Sequence, residues 1–517
     1  MLQLKNVNIK LKNKNKLLLD NFNFTLNNND KVAIIGEEGN GKSTLLKLIY
    51  NTDLIEEYCY FSGQIIKEDI CLGYLEQEIN SKWNSVCIYD YLVKNNPLSN
   101  TYDLLYDYSQ LVSIFTRLKL KPALIQSKQK IGTLSGGEKI KIQLAKILIR
   151  NPDILLLDEP TNDLDILTLK WLENFIISSK KSIIYISHDE TLIENTANTI
   201  IHLERIKKKQ EPRHNIENMG YKDYISKRSS ILEKQEQVAK KQREEHTKSM
   251  KHWRQIYSKV AHQQETITRQ DPGGGRLLKK KMKAVKSLEH RLMKEKKDFL
   301  DIPDVEEAIN IKFNDVDLPD RKVILDLNMD YLKVEEKVLS HNLQLLVKGS
   351  DHVAIIGDNG VGKSTLLKVI YKYLINREDI NVAYMPQNYK EKLNYNKKPL
   401  AFLAPNGHKD DITRAYTYMG SMKFTKREMN QNIKELSGGQ KAKLLFLEMI
   451  LNEYNVLLLD EPTRNFSTLS NSVIIDGLKE FNGVIISVSH DRKYIREVCN
   501  CTYKLTVEGL KQLKYDF

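Results

Sequence analysis

The 517-residue sequence contains no run of 18 or more apolar residues, so an α-helical membrane span is excluded. Its first residues, MLQLKNVNIKLKNKNK, show neither an apolar signal core nor a small-residue cleavage site, and secretion is not expected. Cysteine is scarce: Cys59, Cys71, Cys87, Cys499 and Cys501 make no C-x-x-C pair and no metal-ligand spacing. A disulfide scaffold and a zinc module are thereby excluded, and the thiols read as reduced and cytosolic. The basic excess of the chain is concentrated in its middle. Between residues 206 and 299 stand 26 Lys and Arg against 12 Asp and Glu, an excess of 14 that surpasses the +13 of the whole chain. That segment also lacks the aliphatic and aromatic density of a globular domain, although 41% of the chain is hydrophobic.

What is present is a repeat. Gly36, Glu37, Glu38, Gly39, Asn40, Gly41, Lys42, Ser43 and Thr44 fit G-x-x-x-x-G-K-[ST], and Gly357, Asp358, Asn359, Gly360, Val361, Gly362, Lys363, Ser364 and Thr365 fit it again 321 residues later. In this pattern the glycines let backbone N–H groups close around phosphate oxygens, the lysine reaches the outer phosphates and the serine reaches a magnesium ion. The apolar stretches KVAIIG and HVAIIG precede the loops, and KSTLLKLIY and KSTLLKVIY follow with helical periodicity. Each copy is a candidate nucleotide site in a strand–loop–helix context.

Further events recur in the same order, as an internal duplication requires. GYLEQE with Gln77 matches AYMPQN with Gln387, LSGGEK matches LSGGQK, ILLLDEP matches VLLLDEP, and ISHD matches VSHD. The apolar tetrads predict buried strands that deliver Asp158-Glu159 and Asp460-Glu461 to the carboxyl edge of a sheet, where open α/β folds bind ligands. These motifs resemble the nucleotide-binding domains of ABC ATPases, an α/β fold, and LSGG separates that family from other P-loop proteins. The resemblance covers nearly all of the chain outside the central segment.

In that family two domains meet head to tail, so the resemblance implies two composite ATP sites. One combines Lys42, Ser43, Gln77, Asp158, Glu159 and His188 with Ser437, Gly438 and Gly439. The other combines Lys363, Ser364, Gln387, Asp460, Glu461 and His490 with Ser135, Gly136 and Gly137. Ser43, Gln77 and Asp158 at one site, and Ser364, Gln387 and Asp460 at the other, are expected to hold Mg2+. Glu159 and Glu461 are expected to polarise the attacking water, with His188 and His490 on the γ-phosphate. After DEPT the first domain reads NDLD and the second RNFS, Arg464 to Ser467, so the two sites are expected to differ. Tyr331 is a candidate to stack on adenine in the second domain; NIKLKNKNKL in the first has no aromatic residue.

In the central segment Ile225, Leu232, Ala239, His246, Trp253 and Val260 recur every seven residues, and Leu278, Met282, Val285 and Leu292 continue the pattern beyond DPGGG. The spacing predicts a coiled-coil hairpin over 206–299 between domains at 1–205 and 300–517. Its second arm over 277–300 spans about 36 Å at about 1.5 Å per residue. The turn, about 251–276, offers Trp253, Arg254, Tyr257, Lys259 and His262, with Lys279, Lys280 and Lys281 just beyond. Such side chains stack on unpaired bases and meet RNA phosphates; a solvated spacer is the plainer alternative. No motif that reads duplex DNA is visible.

Tandem ABC domains joined by a basic hairpin resemble the ABC-F family of ribosome-associated ATPases. The resemblance implies a cytoplasmic partner, the ribosome, with the hairpin entering the tRNA exit site of the large subunit toward the peptidyl-transferase centre and its rRNA. Only 35 residues separate Lys42 from Gln77, 27 residues follow His490, and DEPTRNFSTLS resembles the second domain of resistance members. These features point to the antibiotic-resistance members of the Vga and Lsa type, which protect ribosomes from lincosamides, pleuromutilins and streptogramin A. A housekeeping translation factor is one alternative. A fused ATPase subunit of a membrane importer is another, and it has no use for a basic hairpin.

Overall fold

The computed structural model describes residues 1–13, 16–97, 108–162, 164–206, 211–266, 272–296, 299, 313, 316 and 318–513. The chain forms two compact units, Met1–Tyr221 with Glu306–Phe517, and Lys222–Val305.

The first unit holds two copies of one α/β design. In the first copy six strands lie in the order Leu72–Leu75, Ile154–Asp158, Ser182–Ile186, Lys31–Ile35, Thr199–Ile206 and Glu211–Glu217. Neighbours are parallel except for the last pair. The second copy repeats it with Val382–Met385, Val456–Asp460, Val484–Val488, His352–Ile356, Cys501–Thr506 and Gly509–Leu513. The central strands are continuous apolar runs buried along their whole length, as a parallel sheet covered on both faces demands. An antiparallel layer accompanies each sheet, Leu2–Leu11 between Leu17–Leu26 and Cys59–Lys67 in one domain, and Val323–Val334 paired with Lys337–Lys348 in the other.

The first domain extends past the expected boundary at residue 206. Glu211–Glu217 pairs antiparallel with Thr199–Ile206 and closes the sheet edge. EPRHNIE reads as a linker because it carries Pro212 and four charged or histidine side chains, but an edge strand tolerates proline and charge.

The second unit contains the long helix Tyr221–Thr266 and the helix Pro272–Glu295, about 69 Å and 36 Å long at 1.5 Å per residue. The His246 ring lies 3.1 Å from the Leu292 carbonyl, and the Trp253 indole donates to the Val285 carbonyl at 2.9 Å. Seven residues forward on one helix meet seven back on the other, so the two run antiparallel. Ala239, Val260, Val285 and Leu292 are buried between polar faces.

Two expectations for this segment are corrected. The stretch around Trp253 is not a turn: helix continues to Thr266, because no breaker interrupts it and Trp253 and Val260 continue the apolar seam. Gly273 to Gly275 likewise lie inside the second helix, which is described from Pro272 onward. Trp253 is engaged by its sister helix, whereas Tyr257, Lys259, His262 and the three lysines from Lys279 are exposed. Residues 267–271 of the expected tip lie outside the described residues.

Candidate active sites

Each phosphate loop follows a buried strand and ends at the N-terminus of a helix, Lys42–Tyr50 or Lys363–Leu374. Gly41 (φ +94°) and Gly362 (φ +102°) cap those helices in the left-handed region, which side-chain-bearing residues rarely adopt. A Cβ on Gly36 would stand 2.1 Å from the Leu203 carbonyl oxygen, so the loop passes too close to the next strand for any other residue. Lys42 donates to the carbonyls of Gly36 (2.6 Å) and Glu37 (3.1 Å), and Lys363 to those of Gly357 (2.8 Å) and Asp358 (2.9 Å). Both ammonium groups are thus held over their own loops, and Asn40 ties the first loop to Leu203 O at 3.0 Å.

The carboxylates arrive on the strands Ile154–Asp158 and Val456–Asp460. Asp158 accepts from Ser43 Oγ at 2.8 Å and from the Tyr74 hydroxyl at 3.0 Å. Burial pushes its carboxyl up, and the same two hydrogen bonds restrain it. Glu159 accepts from Gln77 (2.8 Å) and Asn162 (2.7 Å), with His188 Nε2 at 3.6 Å. Burial would raise the Glu159 carboxyl, but His188, Asn162 and Lys42 overcome it and hold it at about 2. Both Glu159 (φ +49°) and Glu461 (φ +53°) occupy the left-handed region, a strained backbone of the kind that gathers at functional sites.

The second site is built differently. Glu461 has the His490 backbone N–H at 3.3 Å and the His490 ring at 3.8 Å. Burial, with Asp460 beside it, pushes its carboxyl up to about 8, while burial and Lys363 push His490 down to about 4. Among the described residues the Tyr384 hydroxyl and Asp460 Oδ1, counterparts of the bonded Tyr74–Asp158 pair, are buried without hydrogen-bond partners. Tyr74 was not among the expected site residues; its place three residues before Gln77, mirrored by Tyr384 before Gln387, was the available signal.

The domains face each other across both loops. Glu38 of the first loop accepts from the backbone N–H of Gly438 at 3.0 Å, which brings the second LSGG onto the first phosphate loop. Around Lys363 a cavity of about 360 Å³ is lined by Ser364, Gln387, Asp460, Glu461 and His490 from one domain and by Thr161, Asn162, Leu164 and His188 from the other. Ser135, Gly136 and Gly137, expected here, are not in that lining; Ser135 caps its own helix through Glu138. The loop after DEPT supplies Thr161, Asn162 and Leu164 to the cavity wall, and Asp165, just beyond them, caps the helix Ile166–Ser178. Ser467 replaces Asp165 in the second copy and caps the matching helix equally, so that departure preserves local structure. Asp163 lies outside the described residues. Tyr331 sits on an exposed stretch of strand with Lys333 5.4 Å from its ring.

Beside the histidine loops is a charged cluster that motif reading missed. Arg492 bridges to Glu173 (2.6 Å) and Asp189 (3.3 Å), and Lys493 pairs with Glu190 (2.7 Å), which also accepts from Ser472 (3.2 Å). The acids come from the first domain and the bases from the second; the signal was the divergence of SHDE from SHDR. Burial pushes Glu190 up to about 7 despite the Lys493 ammonium. A carboxyl raised by folding contributes stability below its unfolded range near 4.5, and loses it as pH rises through about 7. Accordingly, Glu190→Gln is expected to flatten the pH dependence of thermal stability between about pH 5 and 8. Parallel melting profiles for parent and variant would contradict this.

Two P-loop domains that share composite sites across their interface define an ABC-type ATPase. The family model described as "ABC transporter" matches residues 19–162 and 340–464. The chain is 31% identical over 514 residues to the ATP-binding protein Uup of Buchnera aphidicola subsp. Acyrthosiphon pisum, covering 95% of this chain and 78% of that one. It is 28% identical over 528 residues to the ribosome protection protein VmlR of Bacillus subtilis, covering 98% and 87%. A crystal structure of archaeal ribosome recycling factor aABCE1 with the stalk protein aP1 shares the fold, with TM-score 0.59 and 15% identity over 98% of this chain and 90% of that one. The chain belongs to the ABC-F family of ATPases. Among the described residues no helix is long and apolar enough to cross a membrane.

Proposed function

We propose that this ATPase binds ribosomes in the cytoplasm and protects the peptidyl-transferase centre from lincosamide, pleuromutilin and streptogramin A antibiotics, with its basic hairpin entering the tRNA exit-site region. The observation that carries the reading is the confinement of the positive charge: an excess of 14 on residues 206–299 of a chain otherwise near neutral. The separate helical unit Lys222–Val305 holds most of that charge, 22 Lys and Arg against 12 Asp and Glu, and suits rRNA or tRNA phosphates; the relative VmlR is named for ribosome protection.

In this reading each site binds ATP with Mg2+. Ser43, Asp158 and Gln77, and Ser364, Asp460 and Gln387, offer the hard oxygen donors that Mg2+ takes, and the unpartnered Asp460 Oδ1 fits such a ligand. The bound ion would neutralise charge on the phosphates. Lys42 and Lys363 serve the outer phosphates from the loops, Glu159 and Glu461 orient the attacking water, and His188 and His490 stand beside them for the γ-phosphate. Ser437, Gly438 and Gly439 complete the first site.

Expression in a susceptible bacterium should raise inhibitory concentrations for these drug classes; unchanged values with ribosome binding intact would favour a housekeeping role. Reversing charge at Lys279, Lys280 and Lys281 together should weaken ribosome co-sedimentation about tenfold. Equal pelleting of variant and parent would remove the hairpin from the binding surface.

A further inference from the structure

Comparison of the two phosphate loops isolates one charged difference. At their third position the first carries Glu38 and the second Asn359. The Glu38 carboxylate accepts a hydrogen bond from the Gly438 N–H at 3.0 Å, at the first residue of the 14-residue helix Gly438–Leu451. That helix end is capped by Ser437, whose hydroxyl accepts from the Gln440 N–H at 3.3 Å. Unpaired N–H groups and the helix dipole make such an end attractive to anions, and here a side chain of the opposite domain is the anion. The contact is close enough that a Cβ placed on Gly438 would lie 3.4 Å from Glu38 Oε2. Lys441, one turn along, also responds to it: burial pushes its ammonium down and the Glu38 charge pulls it back up.

We propose that Glu38 sets the nucleotide preference of the first site, acting as a resident anion that disfavours a nucleoside triphosphate relative to a diphosphate. The inference rests on the reading of the Lys42 loop as a nucleotide site. A terminal phosphate held between the Lys42 loop and the facing LSGG meets the Glu38 charge and competes for the same helix end, whereas a diphosphate ends farther from that face. The second loop offers a neutral amide at this position, so the two sites of one chain differ in their affinity for ATP. The carboxylate also ties the domains together across the first site, and its release would accompany ATP entry.

The test uses the full chain with Lys363→Ala to remove binding at the second site, titrated with fluorescent N-methylanthraniloyl-ATP and -ADP in the presence of magnesium. Glu38→Gln and Glu38→Asn should each tighten ATP binding roughly fivefold and change ADP binding less than about twofold, as expected for loss of one charge at an exposed site. An unchanged or weakened ATP affinity overturns the proposal, as does an equal shift for both nucleotides, which would mark a merely structural role. If Lys42→Ala abolishes binding while Glu38→Gln leaves it unaltered, only the role of Glu38 falls. If the parent and both Glu38 variants all fail to bind either nucleotide, the first-site reading falls with it.

Discussion

Replacing Glu159 and Glu461 together by glutamine is expected to lower ATP turnover at least about 100-fold while nucleotide binding persists, the range a positioned general base contributes. The substitution is nearly isosteric, and a glutamine oxygen can still accept from Gln77 and Asn162, so the strand end and the φ of +49° at Glu159 have no reason to change. What is lost beside the water is the carboxylate charge of Glu159 and the titratable carboxyl of Glu461. The single variants should differ from each other, because Glu159 is gripped by Gln77, Asn162 and His188, whereas Glu461 meets the backbone N–H and ring of His490. Turnover by the double variant at the parental rate, measured as phosphate release, would remove both glutamates from the chemistry.

Arg492→Ala carries the second large effect. The guanidinium is 7% exposed, reaches Glu173 and Asp189 across the domain interface, and leaves those carboxylates facing each other when it is removed. Truncating one partner of a buried ion pair costs about 3–5 kcal/mol, chiefly because the other charge stays buried and uncompensated. Glu173 and Asp189 retain 17% and 11% exposure, which places the expectation near the lower end, about 3 kcal/mol. The melting temperature should fall by several degrees. Turnover should fall as well, since Asp189 follows His188 directly and Arg492 lies two residues beyond His490. Adding Glu173→Gln and Asp189→Asn should recover much of the stability by removing the stranded charges. A single variant that melts like the parent would show that the cluster holds nothing together.

The parts of the site that are local in sequence were legible beforehand. G-x-x-x-x-G-K-[ST] dictates a loop with left-handed glycines and a lysine folded over it, and Gly41, Gly362, Lys42 and Lys363 behave so. Four apolar residues before Asp-Glu dictate a buried strand with carboxylates at its end, and Asp158 and Asp460 are 1% and 2% exposed there. Seven-residue spacing placed His246 and Trp253 against the opposing arm, where they meet Leu292 and Val285.

Contacts that join distant segments were not legible. Pro212 and its charged neighbours read as linker until an adjacent strand claimed them as a sheet edge. The aromatic-basic stretch after Trp253 read as a turn because its composition suits RNA, but backbone hydrogen bonding and the apolar seam carry the helix on to Thr266. The cavity wall at Lys363 comes from the loop after the first DEPT, and the Arg492 cluster draws on residues about 300 positions apart. By itself the sequence determined the two phosphate loops, the buried strands that carry the acids and the placement of positive charge, because each depends on residues within a few positions of one another. Only the tertiary structure decided which groups from opposite domains meet, since a carboxylate such as Glu38 or Glu173 acquires its partner through packing that no short stretch encodes.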